Sequence, residues 1–178
     1  MALRKAGAYS KKIVRPYSRK SRNKSKAYIK TVPNVKTVKF FFGNQKDYNE
    51  GKHPFIIRLI SEEKGQIRDN AIEACRIYLA KIFEKEINNQ FFLAIKIYPH
   101  HLQRENKCAG GVAGADRIST GMTQSFGIVI SRAAIVEPKQ ELFFISCANE
   151  KAARIAKNAL MRIKSKIPTK TKVIFEKI

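Results

Sequence analysis

The chain has 178 residues, and its 36 Lys or Arg against 14 Asp or Glu give a formal charge of +22. That charge is segregated: residues 1–46 hold fourteen basic residues and no acid, residues 47–150 hold thirteen of each sign, and residues 151–178 hold nine basic residues against Glu176 alone. The length suffices for one core burying about 70% of the unfolded surface plus an extension. The absence of any apolar run of about 18–20 residues excludes a membrane-spanning helix, and three cysteines make no disulfide framework.

An acid-free arm repels itself and stays extended until a polyanion neutralises it. Arg4, Lys5, Lys11, Lys12, Arg15, Arg19, Lys20, Arg22, Lys24 and Lys26 are the expected phosphate contacts. Tyr17, with Tyr9, Tyr28, Pro16 and Pro33, interleaves them with semi-rigid positions suited to stacking on bases or packing in RNA grooves. If about eight of these cations met RNA phosphates, log K would fall with log salt at a slope of about −6 to −7. A secretory signal needs an apolar stretch of roughly 7–15 residues, and Ala2 to Lys39 contains none, so none is expected. Residues 1–35 are therefore read as a basic RNA-binding extension and residues 36–178 as a single core domain.

Lys36 to Gly43 and Pro54 to Glu62 are rich in Phe, Ile and Val and end at turn residues, so both read as strands joined by a polar loop. From Gln66 to Ile87 apolar residues recur at Ile67, Ala71, Ala74, Tyr78, Ile82 and Phe83, a period near that of a one-faced helix. Phe91 to Tyr98 follows as a strand. After a long loop, Ile128 to Val136 and Gln140 to Ala148 read as a hairpin turned at Glu137-Pro138-Lys139. Asn149 is placed to cap a second helix whose stripe is Ala152, Ala153, Ile155, Ala156, Ala159, Leu160 and Ile163. Its other face is a cationic ridge of Lys151, Arg154, Lys157, Arg162, Lys164 and Lys166, with Lys157, Arg162 and Lys164 the expected phosphate contacts. Lys172 to Ile178 closes as a strand. The order β-β-α-β, loop, β-β-α-β predicts an α+β two-layer sandwich: a mixed, largely antiparallel sheet with two long helices on one face. Cys75 and Cys147 read as small buried hydrophobes of a reducing cytosol.

The segment Tyr98 to Gly127 has neither a helical nor a strand period, and a functional loop is expected at about residues 99–117. His100, His101 and Cys108 are metal-ligand types, but no CxxC or HExxH spacing accompanies them, so no metal site is expected. Gly110, Gly111 and Gly114 do not match GxxxxGK[ST] and instead permit close backbone approach to a partner. Arg104, Asn106, Lys107 and Arg117 around them point to folded RNA. His100 and His101 read equally as RNA contacts or as groove residues satisfied by hydrogen bonds. Glu105 reads as a partner of Arg104 or Lys107, and Asp116 as the cap of a short helix near Arg117. No catalytic residue, cofactor or small-molecule substrate is expected.

Five blocks of this loop have a familiar wording: YPHH (Tyr98 to His101), RENK (Arg104 to Lys107), AGADRI (Ala113 to Ile118), GM (Gly121, Met122) and SFG (Ser125 to Gly127). Together with YIKTVPNVKTVKFFFGN (Tyr28 to Asn44), GQIRDNAIEACR (Gly65 to Arg76) and PYSR (Pro16 to Arg19), the chain resembles the archaeal and eukaryotic branch of the sixteenth universal protein of the large ribosomal subunit. It departs from that pattern at Thr123, where Arg commonly follows Gly-Met, and at Ile128 to Arg132, where the family usually has Lys-Pro-x-Gly-Thr. The resemblance implies a β-hammerhead elaboration of the sandwich and a cytoplasmic, ribosome-bound, non-enzymatic protein. It further implies contacts to rRNA near the peptidyl transferase centre, to transfer RNA and to neighbouring ribosomal proteins, late entry into the subunit, and a loop at about His101 to Ala115 that points toward the transfer RNA acceptor ends. The competing readings are a free-standing basic RNA-binding protein or RNA chaperone, and an RNA-modifying enzyme centred on Cys108 or His100.

Overall fold

The structure, a computed structural model, describes residues 32–105 and 128–177. Its elements in chain order are β1 (Phe41–Gly43), α1 (Gln45–Asn49), β2 (Phe55–Ser61), β3 (Gly65–Arg68), α2 (Asp69–Glu86), β4 (Phe91–Ile95), β5 (His101–Glu105), β6 (Ile128–Val136), β7 (Glu141–Cys147), α3 (Glu150–Ile163), a 3-10 turn (Lys164–Lys166) and β8 (Thr171–Lys177). This is an α+β sandwich, as expected, but its strands form two sheets where one was expected. A five-stranded sheet has the order β1-β4-β7-β2-β8, a three-stranded sheet has the order β3-β6-β5, and every pairing is antiparallel.

Strand alternation divides the residues of the large sheet between its two faces. Ile57, Leu59, Leu93, Phe143 and Ile145 meet the helices in the main core. On the other face a smaller cluster of Ile56, Phe92, Ala94 and Phe144 packs under Tyr48 of α1. The helix α3 contributes Ala152, Ala153, Ala156, Ala159, Leu160 and Ile163, all buried, with Ile155 partly buried beside them, so the expected stripe is the observed one. Small alanines let this helix approach the sheet closely. Asn149 occupies the N-cap position, yet its side-chain amide donates to Gln90 Oε1 at 3.1 Å and makes no cap hydrogen bond.

Further expectations are corrected. The helix expected from Gln66 begins at Asp69, because Gly65 to Arg68 pair with Val136 to Ala133 as strand β3. Ile67 fits a helical period but is buried as a strand residue. Along α2 the buried apolar residues are Ile72, Cys75, Leu79 and Phe83; Phe83 was expected, whereas the other three fall one position later than the expected Ala71, Ala74 and Tyr78. Both sets have helical spacing; the one with the larger aliphatic groups takes the centre, while Ala71, Tyr78 and Ile82 flank it and Ala74 faces solvent. The hairpin is not formed either: β6 pairs with β3 and β5, whereas β7 pairs with β2 and β4. The connecting turn, with Lys139 at φ +67, is stitched to the end of β2 by Lys139 N–H to the Ser61 carbonyl (2.7 Å) and Ser61 N–H to the Gln140 carbonyl (2.9 Å). Finally, the start of the expected loop is a strand, with His101 opposite Ala133 and Gln103 opposite Ser131.

The first strand is shorter than expected, and its end is sharply defined. Gly43 has φ +100, and a Cβ there would lie 2.3 Å from the Phe91 carbonyl oxygen, so only glycine fits this bend. Asn44 then donates its N–H to that carbonyl at 2.8 Å, and its side chain accepts from Asp47 N–H at 3.2 Å to start α1. The polar loop expected here is thus a short capped helix.

Candidate nucleic-acid interface

The ridge on α3 is built by the same periodicity that buries its alanines. Lys151, Arg154, Lys157 and Arg162 are exposed and Lys164 is half-buried in the following 3-10 turn. Arg154 pairs with Glu150 one turn earlier at 2.7 Å, an exposed pair of little energetic consequence. Lys151 and Lys157 enter no ion pair among the described residues. At the seam with α2, the Tyr78 hydroxyl beside Arg162 favours its charged form, and Lys166 Nζ lies 5.8 Å from the Tyr78 ring centroid. Tyr78 therefore holds two cations at the C-terminal end of α3, where they also complement the helix dipole. Its role was hidden in the sequence because an aromatic at helical spacing reads as core.

The histidines separate. His100 is exposed and its Nδ1 lies 3.0 Å from the Tyr98 carbonyl, whereas His101 is buried with Nδ1 2.9 Å from Gln66 Oε1. Burial holds His101 below the usual histidine range, and the charges of His100 and Arg104 act in the same direction. His101 lies on a buried polar face with Gln66, Gln103 and Ser131, where Ser131 Oγ donates to Gln103 Oε1 at 2.8 Å. Arg104 is half-buried on the same strand.

Beside this face, Arg132 joins three segments that the sequence did not connect. Its Nε donates to the Pro33 carbonyl at 2.6 Å and its Nη1 to the Tyr98 hydroxyl at 3.4 Å. Asp69, at the start of α2, accepts from Asn70 N–H at 2.8 Å, and the backbone amides of Lys36 and Arg132 face the same carboxylate. Burial raises the Asp69 pKa, and these amides oppose the shift.

The arm residues Arg4, Lys5, Lys11, Lys12, Arg15, Tyr17, Arg19, Lys20, Arg22, Lys24 and Lys26 lie outside the described residues, as do Asn106, Lys107, Cys108, Gly110, Gly111, Gly114, Asp116, Arg117 and Thr123. Cys75 and Cys147 are free and buried, and burial pushes both thiols up to about 12, so neither is a ready nucleophile. Among the described residues no group of three His, Cys, Asp or Glu could hold a metal, and no helix is long and apolar enough to cross a membrane. A shallow depression on α2 is lined by Arg76, Ile77, Ala80, Lys81, Glu84 and Lys85.

Residues 15–174 match the family described as Ribosomal protein L16p/L10e. The chain is similar to "Large ribosomal subunit protein uL16" of Methanococcus maripaludis, 40% identical over 178 residues covering 99% of this chain and 96% of that protein. The same-named protein of Staphylothermus marinus is 38% identical over 177 residues, covering 99% and 95%, and that of Archaeoglobus fulgidus 37% over 175 residues, covering 98% and 94%. With the match running through both cationic ends and the loop between them, the chain belongs to the L16p/L10e family of ribosomal proteins.

Proposed function

We propose that this chain is a structural, non-enzymatic component of the large ribosomal subunit, where it binds rRNA near the peptidyl transferase centre and helps to organise the transfer RNA binding region. The observation that carries the reading is the family match across residues 15–174, which spans most of the basic arm, the loop and the ridge on α3. The charge distribution supports it physically: cations concentrated at both ends and along one helix face supply the sequence-independent phosphate contacts that fix a protein's register on folded RNA. The expected partners are large-subunit rRNA, transfer RNA and neighbouring ribosomal proteins, with entry late in subunit assembly.

The test is to follow the full chain through a high-salt wash of native large subunits and then to locate it in the washed particle by cryo-electron microscopy. Nearly all copies should sediment with the subunit, with residues 99–117 directed to the transfer RNA acceptor ends. A large free pool after the wash would favour the free-standing RNA chaperone instead. Retention at a site remote from transfer RNA would keep the structural role and remove the organising one.

A further inference from the structure

The smaller apolar cluster on the outer face of the five-stranded sheet ends in an unusual way. Tyr48 stacks on Phe92 with centroids 5.0 Å apart and 18° between planes, and Phe41 lies parallel to Phe92 at 6.2 Å and 5°. Phe92 is buried, but Phe41, on the edge strand β1, leaves 60% of its surface exposed. The series of rings thus stops at an open aromatic face whose orientation is already fixed by its neighbour.

The charge around this ring selects its partner. Phe41 pairs with Ala94, and Ile95 N–H donates to the Phe40 carbonyl at 2.8 Å, so Lys39 and Lys96 each stand two residues beyond this pair, with Lys96 Nζ 5.2 Å from the centroid of Phe144, a ring of the same cluster. Both lysines are exposed, and neither enters an ion pair among the described residues. Acids near this face are already engaged, Glu141 and Glu176 by Arg58, and Asp47 and Glu50 by Lys52. Two ammonium groups without carboxylate partners near one ring favour an anion beside them. An apolar protein surface would cover Phe41 yet desolvate two ammonium groups without a counter-charge. RNA offers both complements, a π-face for the ring and phosphate for the lysines.

We propose that Phe41 is a base-stacking site: an unpaired base of rRNA lies on its exposed ring while Lys39 and Lys96 hold the flanking phosphate. This deepens, and rests on, the reading of the chain as an rRNA-binding subunit protein. The first experiment places p-benzoylphenylalanine at position 41 of the full chain, purifies salt-washed large subunits from the expressing cells and irradiates them. Crosslinking to rRNA is expected. Crosslinking to protein alone, or none, overturns the stacking site, whereas absence of the chain from the subunits overturns the underlying reading as well. The second measures binding of the full chain to transcribed large-subunit rRNA. Phe41→Ala should weaken it about 5- to 150-fold with the salt slope unchanged, and Phe41→Tyr should restore it. Lys39→Ala and Lys96→Ala should each lower the slope by about one. A correctly folded Phe41→Ala chain that binds within about twofold of the parent overturns the proposal.

Discussion

Exchanging one residue on each face of α3 separates folding from RNA binding. Leu160 is 0% exposed and sits in the main core. Truncation to Ala removes its buried branched carbons and leaves a cavity that a close-packed helix layer fills poorly, a loss of about 2–5 kcal/mol. For a domain of this size each kcal/mol lowers Tm by about 2–4 °C, so Leu160→Ala should melt about 4–20 °C below the parent. Lys157, three residues earlier, is exposed, and Ala is the better helix former there, so Lys157→Ala should stay within about 0.5 kcal/mol. Its effect belongs to binding: if Lys157 meets one phosphate, log K against log salt should become shallower by about 0.9. Calorimetric melting of both variants, with rRNA titrations between about 50 and 200 mM salt, reads the two effects independently. If Lys157→Ala melts early while Leu160→Ala melts normally and loses salt dependence, the faces are assigned backwards.

Truncating residues 1–31, which keeps the Pro33 carbonyl for Arg132, should leave the core melting normally while flattening the rRNA salt slope by several units, at about 0.9 per lost phosphate contact; an unchanged slope would contradict the role of the arm. Gly43→Ala meets the Phe91 carbonyl at 2.3 Å, whereas Gly51→Ala, at φ +74, meets nothing within 4 Å. Urea melts should therefore rank Gly43→Ala as the more destabilised, the Gly51 change costing only about 1–2 kcal/mol of left-handed strain; the reverse order would refute the close approach. His53 and His101 are both held below the ordinary histidine value of 6.5 by burial. The unfolded chain then binds protons first on acidification, so their contribution is complete above about pH 7 and is lost progressively as pH falls from about 6.5 through the lower folded-state values. A urea midpoint that does not fall over that window, for the parent relative to a His53→Gln, His101→Gln variant, would refute the assignment. Replacing Cys108 to Gly114 with a Gly-Ser linker, keeping Arg104, Lys107 and Arg117, should give a chain that enters large subunits but slows peptidyl transfer or transfer RNA binding in occupancy-matched particles; parental rates would reduce the loop to a spacer.

What could be read in advance depended on how local the cause was. The ridge and stripe of α3 were legible because alanines and cations alternate at a single clear period, and the exposure of Lys157 and Arg162 followed from it. The bounds of β2, β6 and β7 were nearly legible because each runs between turn residues. Their partners were not: Pro138 and Lys139 do form a turn, but whether two strands flanking a turn join each other or separate sheets depends on distant segments. Strand β5 was hidden for a different reason. His101 and Gln103 are polar in composition and buried in fact, hydrogen-bonded to Gln66 and Ser131 from other strands, so no hydrophobic alternation marked them. Phe41 escaped notice as one of three consecutive phenylalanines, Phe40, Phe41 and Phe42, which only the strand geometry sorts to opposite sides.

Arg132 closes the run in which this chain departs from the usual family pattern, and its guanidinium works as a mooring post. The chain leaving the basic arm is tied to it at Pro33, the chain entering the loop at Tyr98, and the chain leaving the loop carries the post itself on β6. Three stretches of backbone thus meet at one guanidinium. In mechanical terms a single bollard serves both roots, the Pro33 end through its carbonyl and the Tyr98 end through its hydroxyl, with the β5–β6 ladder as a second mooring for the latter.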